Sequence, residues 1–332
     1  MNAHPLSGED ALIAALAKHL PSPKHTQLAI GDDAAAIPLP DGNLLLITTD
    51  LLMEDVHFRL SWDALPSLGW KALAQNLSDI AAMGGTPTHA VIAIGIPSHL
   101  TAEQAVEIYT GLADLARQTD TDIIGGDTIR SSGPLTITLT VLGKVAQREM
   151  LTRRGAQPGD ALFVTGTLGR AAAGLQLLDS NRSVPASLDF AIQSQLRPQP
   201  RLTEARALAT SGYVNAMMDL SDGVATDIHR LCQQSQVGVI IEQELLPVDP
   251  IVTAACTWLT ERGHSCDATR LALYGGEDFE LMFTAPTHYE DNLRTRLAPC
   301  PITRIGTMVD SPDISIHTHN KTMPLSWGFT HF

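Results

Sequence analysis

Gly31-Asp32-Asp33-Ala34-Ala35 is the stretch around which the sequence is organised. It sets two adjacent carboxylates in a turn between the apolar segment Leu28-Ala29-Ile30 and Ile37. Adjacent aspartates repel each other, and a turn that starts with glycine offers them little local compensation, so we expect a cation beside at least one of them. The acidic motifs elsewhere in the chain are therefore candidates for the same cation site.

The segments around this turn alternate between strand and helix patterns. Residues 43–50 form an apolar run that closes in two threonines and an aspartate, as in a buried strand whose end reaches a site. Residues 135–141 alternate apolar residues with threonine, which is the clearest strand pattern in the chain. Helices are predicted up to about Leu20, over 66–83 and over 101–118.

The length of 332 residues fits two domains. A polar segment with Arg153-Arg154-Gly155 and Pro158-Gly159 follows the strand that ends near residue 146, so we divide the chain into 1–146 and 147–332. Helices and strands mix without strict alternation in the second part, which favours an α+β or mixed α/β fold. With 44% hydrophobic and 17% charged residues, the composition is that of a globular protein.

The charge balance argues against some classes of partner. Twenty-two basic residues face 36 acidic ones, for a net charge of -14, so we expect no nucleic acid as a partner. By itself such acidity is most simply a device for solubility, and an anionic substrate would need metal ions as intermediaries. No apolar run is long enough to span a membrane. The start of the chain does not resemble a signal peptide, and the four cysteines lack C-x-x-C spacing. We therefore expect a cytoplasmic protein with reduced thiols.

Six aspartates stand at glycine turns or at the ends of predicted strands and helices. They are Asp33, Asp50, Asp79, Asp127, Asp219 and Asp222. Each alone is more simply a cap or a turn former, and for Asp222 taken alone a cap is favoured. Gathered in one cleft, they would raise one another's pKa unless cations intervened, and such hard oxygen ligands favour Mg²⁺. Thr48 and Thr49 would add oxygen ligands at the end of a strand, although threonine is also an ordinary strand residue.

The usual phosphate-binding loops are absent from the sequence. There is no G-x-x-x-x-G-K-[ST] motif, and Gly166-Thr167-Leu168-Gly169 does not match the dinucleotide fingerprint. These four residues join a predicted strand to a helix, so they could bind phosphate at the N-terminus of the helix, but a tight connection is the commoner arrangement. Histidine-based metal binding is not expected, and His317 and His319 are interpreted as exposed.

In this order along the chain, the acidic motifs resemble those of the thiamine-monophosphate kinases, in the superfamily of aminoimidazole ribonucleotide synthetase. The matching stretches are 31–35, 48–50, 56–58, 71–84, 125–128, 164–167, 219–223, 275–281 and the tail 327–332. They cover nearly the whole chain. Each motif alone is weak, whereas the ordered set is specific.

The resemblance implies a two-domain α+β, PurM-like fold. In it the N-terminal sheet pairs with that of a second subunit to form a dimer barrel, and a C-terminal α/β domain covers the nucleotide. It also implies Mg²⁺-dependent transfer of the γ-phosphoryl group of ATP to thiamine monophosphate in a homodimer. The implied metal ligands are Asp33, Thr48, Thr49, Asp50, Asp79, Asp127, Asp219 and Asp222. The implied nucleotide contacts are Gly126, Asp127, Arg153 and Ser221, with Tyr109 as a further contact that no tight motif anchors. His57, Glu277 and Trp327 match the substrate positions.

The chemistry of the residues agrees with this reaction. A phosphate monoester is already ionised near neutral pH, since its second pKa is about 6, so no catalytic general base is required. The obstacle is repulsion between two anions, which metal ions relieve. A cationic thiazolium suits the face of Trp327 and the carboxylate of Glu277.

Without the resemblance, each of these residues has a plainer interpretation. Trp327 would be a core anchor, His57 a structural histidine and Arg153 a residue of a surface loop. Lys71 is interpreted as structural or as part of a cleft rim. Within the turn, the resemblance assigns the metal to Asp33 and leaves Asp32 as a turn former or a supporting partner.

The sequence departs from the family pattern at Asp55, where glycine is common, and at Gln195, where histidine is frequent. These departures bear on the substrate contacts and leave the metal set untouched. The alternative functions are another ATP-dependent enzyme of the superfamily and a non-catalytic nucleotide-binding scaffold.

Overall fold

The computed structural model describes residues 8–62, 65–319 and 321–328. Its first part is a five-stranded sheet in the order β1-β2-β5-β3-β4, covered on one face by helices. The strands are β1 (Ala35–Pro38), β2 (Asn43–Met53), β3 (Thr86–Pro97), β4 (Asp122–Ser131) and β5 (Thr136–Ala146). The helices are α1 (Glu9–Ala17), α2 (Leu65–Ala82) and α3 (Ala102–Gln118). The first helix therefore ends three residues before the predicted Leu20, while α2 and α3 match their predicted spans closely.

Alternation along β2 decides which side chains reach the helices. Leu44, Leu46 and Leu52 are buried in the core, and Thr48 lies on this same face. Thr49 faces the opposite way, and its hydroxyl accepts a hydrogen bond from that of Thr140 on the neighbouring strand β5. Helix α3 starts with the predicted capping box, in which Thr101 and Gln104 each accept a hydrogen bond from the other's backbone N–H.

The second part is a seven-stranded mixed sheet in the order β12-β11-β8-β10-β6-β9-β7. Its strands are β6 (Asp160–Thr165), β7 (Ala216–Asp219), β8 (Gly238–Glu242), β9 (Leu281–Pro286), β10 (Ile302–Val309), β11 (Ile314–Thr318) and β12 (Lys321–Pro324). Its helices are α4 (Arg170–Asp179), α5 (Asp189–Leu196), α6 (Leu202–Ala209), α7 (Val224–Ser235), α8 (Pro250–Thr260), α9 (Ala268–Tyr274) and α10 (Glu290–Leu297). The mixed α/β fold class is confirmed. The sheet of the first part is open within the described residues of a single chain.

Helix α2 joins the two parts. It packs on β2 and β5 and also contacts β7, α5 and α6. The indole of Trp70 donates a 2.7 Å hydrogen bond to the carbonyl of Pro198, and Arg197 donates one of 2.9 Å to the hydroxyl of Ser67. Because α2 is buried along almost its whole length, the residues on its last turns lie between the two sheets.

The structure corrects two expectations. Cys256 and Cys266 form a disulfide that joins α8 to the segment before α9, where packing brings their Cα atoms within 4.9 Å. Only Cys232 and Cys300 are free thiols, so reduced thiols were wrongly expected for the other pair. Lys71 is 3% exposed, which excludes a place on the rim.

No helix among the described residues is long and apolar enough to cross a membrane.

Candidate active site

A cleft of about 1730 Å³ lies between the two parts of the chain. It is lined by the turn 31–35, the end of β2 with the following loop, and the motifs 219–222 and 275–279. Acidic motifs from both halves of the chain therefore meet at one opening.

Three carboxylates form the centre of this site. Asp33 lies in the turn before β1, Asp79 on α2 and Asp219 at the end of β7, and each offers an oxygen within 4.8 Å of the others. The hydroxyl of Thr48 donates a 2.5 Å hydrogen bond to Asp79, and that of Ser78 donates one of 2.6 Å to Asp219. The Oδ2 atom of Asp33 is buried and has no hydrogen-bond partner among the described residues. A set of hard oxygen ligands with an unpaired buried oxygen fits Mg²⁺.

The electrostatics of the centre favour a cation. Burial raises the pKa of Asp79 well above its usual range, and the charges of Asp50 and Asp219 raise it further. Burial also raises the pKa of Asp219 to about 7, with a further contribution from Asp33. For Asp50, burial raises the pKa to about 6 against a hydrogen bond from Gln75. Full ionisation near neutral pH therefore requires positive charge.

The opening pair of aspartates is asymmetric. The guanidinium of Arg153 pairs with Oδ1 of Asp33, with its Nε 3.1 Å away. Asp32 instead accepts the backbone N–H of Arg153 at 3.2 Å and that of Asp33 at 3.1 Å. Asp32 thus ties the turn to the segment after β5, while Asp33 belongs to the carboxylate centre. Arg153 lines the cleft, so the interpretation of Arg153 as a residue of a surface loop does not hold.

Asp222 also lines the cleft and is held by residues that sequence reasoning missed. Its carboxylate pairs with Arg230 at 2.5 Å, and Arg230 lies 3.2 Å from the buried Asp227. Asp227 also accepts the backbone N–H of Asp222 at 3.1 Å. The signal was present in the chain, since Asp227 and Arg230 stand three residues apart on α7, a spacing at which helical side chains meet.

Of the predicted substrate residues, His57 and Glu277 line the cleft. Nδ1 of His57 accepts the backbone N–H of Met53 at 3.0 Å, which requires the proton to be on Nε2. Trp327 is not among the cleft-lining residues. It is 45% exposed and stacks on His229 of α7, with 4.4 Å between ring centroids, so its plainer interpretation as a core anchor does not hold. Residues 329–332 of the tail motif lie outside the described part of the chain.

The segment 277–280 explains why the loop at 166–169 is not a phosphate site. Asp278 accepts the backbone N–H groups of Gly169 at 2.6 Å and of Ala171 at 3.1 Å, so a carboxylate already occupies the start of α4. Burial raises the pKa of Asp278 to about 7. A Cβ at Gly166 would lie 2.1 Å from the carboxylate of Glu280, which is itself paired with Arg201. The loop is a tight connection.

The structure keeps three predicted nucleotide and metal residues away from this centre. Gly126 and Asp127 lie on the edge strand β4, three strands from β2, which is about 14 Å at the usual strand spacing. Asp127 is exposed. The strand register places it in one row with Ala93, Thr138 and Leu51. Because Leu51 and Asp50 are neighbours on β2, Asp127 lies on the face of the sheet opposite to Asp50. Tyr109 of α3 packs on the core and is not among the residues that line the cleft. A Cβ at Gly126 would lie 1.7 Å from the carbonyl oxygen of Ile92, so packing alone requires glycine there.

Two predicted site residues remain, Thr49 and Ser221. The hydroxyl of Thr49 already donates to the carbonyl of Leu139 at 2.9 Å on the outer face of the sheet. Ser221 lines the cleft beside Asp222.

Comparison with known proteins assigns the chain to a family. Residues 31–145 match the model of the AIR synthase related protein N-terminal domain, and residues 157–319 match that of the C-terminal domain. The thiamine-monophosphate kinase of Escherichia coli K12 is 37% identical over 98% of both chains. That of Bacillus subtilis is 34% identical over 92% of this chain and 93% of its own.

The match extends to a solved structure described as AaThiL complexed with AMPPCP and TMP. It superposes with a TM-score of 0.86 at 32% identity and covers 100% of both chains. The ordered set of acidic motifs, the two mixed α/β parts and these similarities agree. The chain belongs to the AIR synthase related family and, within it, to the thiamine-monophosphate kinases.

Proposed function

We propose that this protein transfers the γ-phosphoryl group of ATP to thiamine monophosphate, giving thiamine diphosphate and ADP, by direct in-line attack of the substrate phosphate. The observation that carries the proposal is the centre formed by Asp33, Asp79 and Asp219 in a cleft that also contains His57 and Glu277. The relative AaThiL, whose structure is described as complexed with AMPPCP and TMP, supports this choice of substrates.

The chain itself provides binding and alignment. The substrate phosphate needs no deprotonation near neutral pH, so the residues of the cleft only have to orient two anions. Arg153 can exchange its partner Asp33 for a nucleotide phosphate, to which a guanidinium binds through two parallel hydrogen bonds. His57 lines the cleft, and the hydrogen bond that its Nδ1 accepts from the backbone N–H of Met53 fixes the orientation of its ring.

Mg²⁺ would be held by Asp33, Asp79 and Asp219, with Asp50, Asp222 and Thr48 beside them. When bound, it would supply the positive charge that offsets repulsion between the two phosphates. Calorimetric titration of the metal-free protein with MgCl₂, without nucleotide, tests this set. We expect binding that Asp79→Asn removes, and unchanged binding in that variant contradicts the assignment.

We also propose a homodimer in which Asp127 and Gly126 of one copy complete the cleft of the other. The support is the exposed edge strand β4, where Ile124 and Ile129 are 60% and 59% exposed, together with Leu51, 46% exposed, on the same sheet. Unpaired edges and exposed apolar faces of this kind are typical of interfaces. Asp127 cannot reach the carboxylate centre of its own chain across three strands.

Mixing two inactive variants tests this arrangement. If each site combines both chains, a mixture of Asp127→Asn and Asp50→Asn subunits regains roughly a quarter of wild-type activity, because half of the dimers are mixed and each holds one intact site. A mixture as inactive as its components, in dimers shown to exchange subunits, contradicts a shared site.

The direct-transfer step has its own test. Incubation with γ-labelled ATP in the absence of thiamine monophosphate should leave the protein unlabelled. A burst of labelled protein would show a phosphoenzyme and contradict direct attack.

We propose a cytoplasmic location, where ATP and phosphorylated substrates are available. Fractionation of cells followed by immunoblotting tests this location. Recovery of the protein outside the cytosolic fraction would argue against it.

A further inference from the structure

Lys71, Gln195 and Glu277 form a cluster, called the clamp below, in which the first two residues hold the carboxylate of the third. The Nζ atom of Lys71 lies 2.6 Å from its Oε1, and Nε2 of Gln195 donates a 2.5 Å hydrogen bond to its Oε2. The side chain of Lys71 is 4% exposed and Gln195 is 1% exposed, whereas 27% of the Glu277 side chain is accessible. Glu277 lines the cleft, whereas the two residues that hold its carboxylate are buried.

The backbone at this position is strained and tightly enclosed. Glu277 has a backbone φ of 67°, a value that residues other than glycine rarely adopt. A Cβ at Gly276 would lie 2.5 Å from the carbonyl oxygen of Ser221, and the next residue, Asp278, is fixed at the start of α4. Strain of this kind persists only where the surroundings determine the conformation, and it is typical of functional sites.

The clamp is assembled from both parts of the molecule. Lys71 comes from α2 in the first part, and Gln195 and Glu277 come from the second. Lys71 is almost fully buried, and Glu277 supplies the anionic partner that a buried ammonium group requires. The position of Glu277 in the cleft therefore depends on how the two parts meet.

The charge of the clamp indicates which part of a ligand it binds. Lysine and glutamate together are neutral, and each carboxylate oxygen keeps one lone pair that can accept a further hydrogen bond. Oε1 of Gln195 is a second buried acceptor, with no partner among the described residues. A neutral N–H group of a ligand can donate hydrogen bonds to these acceptors without electrostatic repulsion. A cationic group would be repelled by Lys71.

Thiamine monophosphate carries both kinds of group, an aminopyrimidine with a neutral amino donor and a cationic thiazolium. We propose that Lys71 and Gln195 are positioning residues that hold and neutralise Glu277, so that its carboxylate accepts a hydrogen bond from the aminopyrimidine. This inference rests on the proposed function, and it reverses the expectation that Glu277 attracts the thiazolium charge.

Binding measurements without turnover test the proposal. Calorimetry with thiamine monophosphate and with oxythiamine monophosphate, in which a carbonyl oxygen replaces the amino group, would be made on wild type, Lys71→Met, Gln195→Leu and Glu277→Gln. Lys144→Met removes a comparable ion pair with Asp41 on the surface and is the matched control.

We expect wild type and the control to prefer thiamine monophosphate by about tenfold or more, the usual value of one well-placed hydrogen bond to a charged group. Lys71→Met and Gln195→Leu should lose most of that preference while their affinity for AMPPCP stays within about twofold. The AMPPCP titration separates a positioning role from general loss of structure.

Two results would overturn the proposal. One is an unchanged preference in Gln195→Leu and Lys71→Met; the other is a parallel loss of affinity for substrate and AMPPCP in both. If Lys71→Met fails to fold, Gln195→Leu alone decides. Failure of the proposed function is distinguishable, because wild type would then bind neither thiamine compound.

Discussion

Ser78 on α2 donates a 2.6 Å hydrogen bond to Asp219 at the end of β7, and this bond joins the two parts of the chain inside the carboxylate centre. Both residues are buried, at 0% and 1% exposure. The centre is therefore also part of the contact between the two sheets, and its chemistry and its stability are coupled.

Replacing Ser78 by alanine should destabilise the protein. The change leaves the buried oxygen of Asp219 without its donor, which costs about 1–3 kcal/mol. Urea unfolding measures the free-energy difference, with Ser194→Ala, whose hydroxyl bonds only the carbonyl of Phe190 on an exposed helix, as the control. Equal stability of the two variants would contradict the role of this bond.

The two aspartates of the opening turn should differ in their effect on activity. Asp33→Asn removes a charge from the carboxylate centre, so we expect activity to fall by two orders of magnitude or more, as for the loss of a group that stabilises charge in the transition state. Asp32→Asn keeps an acceptor for the backbone of Arg153 and should retain most activity. Steady-state kinetics of both variants, at saturating MgCl₂, provide the comparison, and equal losses would contradict the asymmetry.

Metal-free protein should become less stable as the pH rises. Burial raises the pKa of Asp219 from 3.8 to about 7, so the folded state binds this proton more tightly than the unfolded state. The stability associated with the proton is fully present below pH 3.8 and is lost as the pH rises towards 7. We expect a loss of about 2–4 kcal/mol over that interval in EDTA.

Unfolding in EDTA at pH 5 and pH 8 measures this dependence. The variant Asp219→Asn should show a flatter profile, and excess Mg²⁺ should restore stability to the wild type at pH 8. A wild-type profile that rises between these pH values would show that the carboxylates are not destabilised by burial.

Asp278 should matter for stability more than for chemistry. Its carboxylate caps α4 through Gly169 and Ala171, so Asp278→Ala is expected to cost about 1–2 kcal/mol as a lost helix cap. Asp278→Asn keeps one acceptor oxygen and should lose less. Thermal melting of the two variants checks the order, and a more stable alanine variant would contradict the capping role.

The local elements were predictable because each depends on nearby residues. The alternation of β5, the capping box of α3 and the span of α2 all follow from short-range patterns. The ordered acidic motifs also predicted the family, and the structure brings Asp33, Asp79 and Asp219 together as expected.

What the sequence could not provide depends on contacts between distant segments. Lys71 and Gln195 are separated by 124 positions, and only the packing of α2 against the second part makes them partners of Glu277. The disulfide between Cys256 and Cys266 likewise follows from helix packing and not from a motif. The placement of Asp127 on an edge strand could not be predicted from the sequence either, because strand order depends on contacts between distant segments.

Dependence of ADP release on thiamine monophosphate tests the central claim most directly. Purified protein with MgATP should release ADP only when thiamine monophosphate is present, with thiamine diphosphate formed in equal amount. Another ATP-dependent enzyme of the superfamily would instead respond to its own substrate, and a binding scaffold would release no ADP at all. ADP release that is absent, or that is unchanged by thiamine monophosphate, would contradict the account.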